Sequence, residues 1–328
     1  MNALKKYLPK KRLRACLDPA YVAEVLGTKT DLLRMRLIDI IIPKLNLSDS
    51  SFGLSEVPQG QAIPKMIHHT FYTSQLPPEL EKNAIALRKL NPGWEYRFYD
   101  EADRENFIAS NFPARVFQTF KQIDDAYGAA KADIFRYLLL YKCGGIYLDI
   151  KSAVTRPFDD VLKPDDQYLL SHWRNKEGEE FQGWGKHDEL REFENGEFLQ
   201  WYIACAPGHP FLKAVIESVL TNIEKYNPAL HGVGKLGVLR VTGPIAYTLA
   251  INRLLSKNKH RLVDTKADLG LEYTVYKGLY DHMALFASHY SWQTKSIVKL
   301  GFTRAQLARL IYGMQRFSGM VSNKGHLE

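Results

Sequence analysis

Four of the six charged residues in KADIFRYLLLYKCGGIYLDIKS, residues 131–152, could act together on a ligand: Asp133, Arg136, Asp149 and Lys151. Asp133 and Arg136 are three apart, so on a helix they occupy adjoining faces. Their neighbours Ile134, Phe135, Leu138, Leu139 and Leu140 are apolar almost all round, which predicts a buried helix. Buried charges need partners. Two arrangements are open from the residues alone. Asp133 and Arg136 can neutralise each other while Asp149 caps a turn, or the set can bind a ligand rich in hydroxyls and anionic oxygens.

The elements that must position these groups follow from the spacing around them. Gly144-Gly145 stops the helix as a left-handed C-cap. Ile146, Leu148 and Ile150 then alternate with Tyr147, Asp149 and Lys151, a period of two that predicts a strand with Asp149 and Lys151 leaving one face at its C-terminal end. Upstream, IPKMIHHTF (63–71) predicts a first strand. A helix from Pro78 to Leu90, a turn at Asn91-Pro92-Gly93 and a second strand ending at Tyr99-Asp100 follow it. His68 and His69 are adjacent on the first strand and point to opposite faces, which excludes joint chelation. Strands alternating with helices predict an α/β fold with a mostly parallel sheet flanked by helices, where ligands bind outside the C-terminal strand ends.

These segments resemble the glycosyltransferases of family 32, the sugar-binding-region group containing a DXD motif, which includes yeast-type mannosyltransferases and bacterial capsule and O-antigen transferases. The family pattern is an Asp-x-x-Arg helix followed by Gly-Gly-x-Tyr-x-Asp-x-Asp. It is matched at Asp133, Arg136, Gly144, Gly145, Tyr147 and Asp149, and departed from at Lys151, where the second Asp is usual, and at Cys143, where an aromatic is commoner. CAPGHPFL (205–212), VTGP (241–244) and SHYSW (288–292) resemble later landmarks, so the resemblance spans 61–295 in the right order. It implies a GT-A-type nucleotide-sugar-binding domain over 61–295, with a basic helical extension at 1–60 and a basic amphipathic helix at 296–328.

The resemblance also implies roles. Asp133, Arg136 and Asp149 form the catalytic set, with Asp133 on donor-sugar hydroxyls and Arg136 on the sugar or the diphosphate. Asp149 binds ribose hydroxyls or, with His289, a divalent Mn2+ or Mg2+ ion bridging the diphosphate. Phe71 stacks on the base, Tyr99 and Asp100 line the base pocket, and Tyr147, Gly243, Ser291 and Trp292 complete the donor site. Lys151 is no metal ligand: either it turns away from Asp149, or its ammonium binds the donor phosphates and takes over part of the metal's charge. The expectation is a metal bound more weakly than in an Asp-x-Asp site, or dispensable, with Lys151 on the donor phosphates. His187, Asp188 and Glu189 fall in a polar insertion, 174–197, expected on the acceptor side. The implied reaction is retaining transfer of a hexosyl unit from a nucleoside-diphosphate sugar to a glycan or lipid-linked acceptor, in capsule, O-antigen or other surface polysaccharide synthesis. A donor-binding relative without activity is the alternative that Lys151 suggests.

Charge and cysteine usage bound the setting. The net charge is +8, yet residues 1–14 carry six basic side chains and no acid, and residues 295–328 carry six against Glu328. Subtracting those eleven charges leaves −3 for the residues between, so the basicity belongs to the ends and a nucleic-acid-binding core is excluded. An anionic membrane surface is the partner those ends suit, through residues 1–14 and a helix at 303–317 whose Leu307, Leu310, Ile311, Met314 and Phe317 share one face. Further helices are expected from Asp18-Pro19 to Gly27 and over 31–41. Cys16, Cys143 and Cys205 are odd in number and widely spaced, which predicts a reducing compartment and no structural zinc. With neither a signal-peptide core nor a run of eighteen apolar residues, the expectation is a cytoplasmic enzyme, peripheral on the inner face of the cell membrane.

Overall fold

β1 (Met66–Thr70) is buried along nearly its whole length because it has parallel neighbours on both sides. These are β2 (Glu95–Tyr99), paired from Met66 with Glu95 to Thr70 with Tyr99, and β3 (Gly145–Leu148), where Ile67 faces Ile146. β5 (Tyr168–Leu170), β6 (Tyr202–Cys205) and β7 (Arg261–Leu262) extend the sheet in the order β2-β1-β3-β6-β5-β7. β6 is antiparallel to both its neighbours and the other strands run one way, so the sheet is mixed but mostly parallel, as the α/β reading expects. β4 (Ala153–Val154) and β8 (Leu271–Glu272) form a separate antiparallel pair. The computed structural model describes residues 51–278, 281, 290–302 and 305–306. The helices expected at 18–27, 31–41 and 303–317, the 1–14 tail and His289 lie outside the described residues. Ser50–Tyr226 and Val233–Lys299 group into one compact unit that holds the sheet.

Parallel neighbours need crossovers. The one between β1 and β2 is α1 (Pro78–Leu90), which starts at Pro78, ends before Asn91-Pro92-Gly93 and buries Leu80, Ala84 and Leu87. Between β2 and β3 run α2 (Glu101–Asn111), α3 (Ala114–Lys121) and α4 (Gly128–Cys143). Every residue of α4 from Ile134 to Tyr141 is buried, as its apolar run requires, and α5 (Pro210–Glu224) packs on it. α6 (Gly234–Val241) and α7 (Pro244–Asn252) complete this layer.

The α4–β3 junction is built on two glycines. Gly144 has φ +66° and ψ −164°, a region open essentially to glycine alone, and Gly145 has φ +99°. A Cβ on Gly144 would stand 2.6 Å from Pro207 Cδ, and one on Gly145 would stand 2.7 Å from the Met66 carbonyl oxygen. The turn thus delivers β3 directly beside β1. β3 ends at Leu148, two residues before the alternation of apolar residues ends. The Asp149 N–H donates to the Trp201 carbonyl at 2.7 Å, and a turn closes by Ser152 N–H to the Asp149 carbonyl at 2.8 Å. Asp149 and Lys151 therefore sit on a turn beyond the strand rather than on one face of it.

Because Gly144 combines a glycine-only conformation with a proline ring against it, Gly144→Ala should destabilise the fold by about 2–4 kcal/mol in urea unfolding. A loss below about 1 kcal/mol would mean that the Pro207 loop yields freely.

Candidate active site

At the C-terminal end of β3, Arg136 bridges two carboxylates. Its Nη2 lies 3.3 Å from Asp133 Oδ1 and 3.2 Å from Asp149 Oδ1, and its Nη1 donates to the Gln200 carbonyl at 2.6 Å. Nε donates to Ala132 O at 3.4 Å, and the guanidinium stands 4.5 Å over the Tyr147 ring, whose hydroxyl donates to Asp149 Oδ1 at 3.2 Å. Two guanidinium hydrogens are thereby committed to backbone carbonyls, and Nη2 is held between two carboxylates by charge. Arg136 thus serves first as the group that aims Asp133 and Asp149. Asp133 Oδ2 accepts from Thr242 Oγ1 at 2.8 Å, and Tyr137 OH holds the Thr242 carbonyl at 2.9 Å.

Burial sets the charges here. It lifts the Asp133 carboxyl to about 7, against the pull of Arg136 and the Thr242 hydrogen bond. It opposes the Arg136 cation too, yet Tyr147, Asp149 and Asp133 outweigh it and push that pKa up. Lys151 is lowered by burial to about 8, with Asp149 opposing. Its Nζ is 3.7 Å from Asp149 Oδ2 and 3.5 Å from the centre of the Tyr273 ring, so it does not turn away from Asp149. Asp149 is the exposed member of the four, with 26% of its side chain accessible.

Asp149 opens into a cleft of about 1020 Å³. Of the residues expected in the site, Phe71, Asp133, Arg136, Tyr147, Asp149, Lys151 and Ser291 line it. Tyr99, Asp100 and Gly243 do not. The Tyr99 hydroxyl lies 3.3 Å from His68 Nδ1, and its ring packs on Phe107 and Phe135. Asp100 caps α2, accepting from Asp103 N at 2.9 Å while Asp103 accepts from Asp100 N at 3.1 Å. Gly243 precedes α7, where a Cβ would press to 2.8 Å on Leu239 Cα, so packing of α6 explains the glycine. Trp292 belongs to the short helical turn Tyr290–Trp292. Phe71 is buried beside the ring of Tyr72, which is half exposed at the cleft and was not singled out from sequence.

The far wall comes from residues whose roles were illegible in sequence. Trp173, Trp184, Trp201 and Tyr273 cluster with ring centroids 5.1–6.5 Å apart and line the cleft beside Lys151. Glu197 ties this wall together, accepting from Trp173 Nε1 at 2.6 Å and lying 2.7 Å from His187 Nε2. His187 faces the cleft from the 174–197 insertion, whereas Glu189 turns to pair with Arg240 and neither it nor Asp188 lines the cleft.

The described residues do not fit a divalent cation at Asp149. Arg136 and Lys151 stand 3.2 and 3.7 Å from its two oxygens, so the carboxylate is already compensated. Two unit charges about 4 Å apart interact by about 4 kcal/mol at an effective dielectric near 20, and a dication doubles the repulsion from each cation. Among the described residues no three His, Cys, Asp or Glu side chains could hold a metal ion.

A mostly parallel sheet whose carboxylates gather at a strand's C-terminal end, over a deep cleft, is the organisation of the nucleotide-binding α/β class. Residues 77–169 match, and carry, the family region described as "Glycosyltransferase sugar-binding region containing DXD motif". Among similar proteins is inositol phosphoceramide mannosyltransferase 3 of Schizosaccharomyces pombe, 28% identical over 187 residues, or 57% of this chain and 44% of the relative. The initiation-specific alpha-1,6-mannosyltransferase of the same yeast is 30% identical over 217 residues, 60% of this chain and 50% of the relative. The chain spans about half the length of the curated relatives it matches. A solved structure titled PaToxG glycosyltransferase superposes with a TM-score of 0.43 at 18% identity, over 68% of this chain and 79% of that one.

Two predictions follow from the charges. The folded Asp133 pKa, about 7, lies above the unfolded value of about 3.9. Between those values the folded state holds a proton that the unfolded state has lost, so this group makes stability fall as pH rises, by on the order of 1 kcal/mol per pH unit, and the fall ends above about 7. Asp133→Asn should remove that slope in urea unfolding at pH 4.5–7.5; equal slopes in the two proteins refute the assignment. For Lys151, nucleoside-diphosphate affinity should change by less than about twofold between EDTA and manganese in the wild type, whereas Lys151→Asp should gain tenfold or more from manganese, since it removes a cation and adds a carboxylate. Loss of wild-type binding in EDTA would show that a metal does enter.

Proposed function

We propose that the protein transfers a hexosyl unit, mannose in the first instance, from a nucleoside-diphosphate sugar to a hydroxyl of a glycan or lipid-linked acceptor. The observation that carries this reading is the Asp133–Arg136–Asp149 bridge at the end of β3, opening into an aromatic-walled cleft within a glycosyltransferase sugar-binding region. Mannose is supported by the names of the relatives, and a lipid-linked acceptor by the ceramide in one of them. Retention, a place in surface-glycan synthesis, and a cytoplasmic site on the inner membrane face belong to the same proposal. The basic ends of the chain support that last point.

The chemistry assigned to the residues is positional and electrostatic. Asp149, held by Arg136 and Tyr147, presents its exposed edge to donor hydroxyls. Asp133, largely neutral below about 7, accepts from Thr242 and can donate a hydrogen bond when protonated. Lys151, close to Asp149 and braced by Tyr273, offers an ammonium to the departing diphosphate in place of a metal's charge. The planar Trp184 and Trp201 flank the opposite wall, where an apolar sugar face can stack. Fixed charges of this kind stabilise a leaving group without reorganising during the reaction.

The test is turnover with guanosine, uridine and cytidine diphosphate hexoses and a soluble mannoside acceptor, with the product anomer read by proton NMR. An α-linked product from an α-linked donor is expected, and Asp149→Asn should lower kcat/KM by about 10²–10³. A β-linked product overturns retention, and full activity of Asp149→Asn overturns the site. Tight donor binding without product would favour the inactive relative that the Lys151–Asp149 pair suggests.

A further inference from the structure

The cleft holds a buried cation that the donor site described above does not use. Arg104, on α2, is 4% exposed and lines the cleft, yet its Nε has no hydrogen-bond partner. Among the described residues no carboxylate lies within ion-pair distance of its guanidinium. Its charged neighbours are taken. Lys131 Nζ holds Glu101 at 3.2 Å and Asp125 at 2.5 Å, and Lys299 holds Asp125 at 3.1 Å, so two carboxylates meet two ammoniums. The Asp133, Asp149, Arg136 and Lys151 set is likewise balanced when all four are charged. Arg104 is left as positive charge in excess, desolvated and aimed into an open space. A guanidinium stays protonated under such conditions, and an unpaired one costs stability.

The wall beside it is suited to an anion. Glu101 meets Lys131 and Phe107 packs on Phe135, which sets α2 alongside α4 with Arg104 between those contacts. Helical side chains lean toward the N-terminus of their helix, and hence toward the first turn of α4. That turn lines the same cleft with Gly128 and Ala129, carries no acidic residue and has no side-chain cap. A Cβ on Gly128 would meet nothing within 4 Å. A sixteen-residue helix therefore presents free N–H groups and the positive end of its dipole to open space near an unpaired guanidinium.

We propose that Arg104 and the first turn of α4 form a second anion subsite in the cleft, which binds a phosphoryl group through the planar guanidinium and the helix N–H groups. The phosphoryl group belongs either to the donor diphosphate or to a phosphate of the acceptor. The proposal rests on the transferase reading only for naming these two sources.

Calorimetric titration of the full chain with inorganic pyrophosphate, guanosine and uridine diphosphates, and myo-inositol 1-phosphate tests it in wild type, Arg104→Met and Gly128→Asp. Both variants should lose tenfold or more in affinity for pyrophosphate and a nucleotide, which assigns the donor, or for the inositol phosphate alone, which assigns the acceptor. Without ligand, Arg104→Met should melt at or above the wild-type temperature, since it removes an unpaired buried charge, whereas a merely structural arginine would make it melt lower. If the wild type binds nucleotide and both variants bind all four probes equally well, the subsite is overturned while the donor reading stands. Wild type that binds none of the probes sinks both.

Discussion

Desolvation of charge around Arg136 is the constraint on which the rest of this site depends. A guanidinium enclosed between a helix and a strand end survives only if acceptors surround it. Asp133, Asp149, Gln200 O and Ala132 O provide them from α4, the β3 turn and the approach to β6. Each acceptor is thereby fixed relative to the others. The glycine pair at 144–145 serves the same end, because only a glycine-conformation turn brings β3 back against β1 without lengthening the link from Arg136 to Asp149. Remove the cation and two carboxylates face each other in a poorly hydrated place. The site is thus also a joint of the fold, and loss of activity at Arg136 cannot be separated from strain at this junction.

The aromatic wall answers a second constraint. The 174–197 stretch has little regular structure, so its backbone contributes few of the ladders that hold the sheet together. Its order comes from rings and two buried polar side chains: Asn175 donates to the Trp184 and Asn195 carbonyls, Glu197 takes the Trp173 and His187 hydrogens, and Trp173, Phe181, Trp184 and Tyr273 pack in tilted and edge-to-face contacts. Tyr273 also covers Lys151, and β4 with β8 clamps its segment to the residues that follow the Asp149 turn. The two sides of the cleft are therefore coupled through one tyrosine.

Much of this was legible from residue order, and where it was not there are physical reasons. α1 could be delimited because Pro78 and Asn91-Pro92-Gly93 punctuate it, and α4 because its apolar run is unbroken. The Asp149–Lys151 side was foreseen with the wrong device: alternation continues to Lys151, but the Asp149 N–H leaves for Trp201 and the chain turns. Asp100 and Asp103 carry the spacing of a capping box, a local signal that competes with a ligand-binding reading and accounts for Asp100. Arg104 gave no warning. A single arginine in a polar helix is ordinarily solvated, and only the tertiary packing of α2 on α4 removes its water and its partners. The Trp173–Trp201 wall is equally invisible, since ring contacts across an irregular segment have no period.

The unequal burial of Asp133 and Lys151 has an effect on the cluster as a whole. Burial works against the charged form of both, raising the carboxyl and lowering the ammonium, so the same loss of water acts on the cluster's negative and positive members alike. Asp149, the most accessible of the four side chains, is therefore the member of the cluster that a ligand in the cleft meets first. How deeply Asp133 and Lys151 are buried thus sets how much charge stands behind that carboxylate.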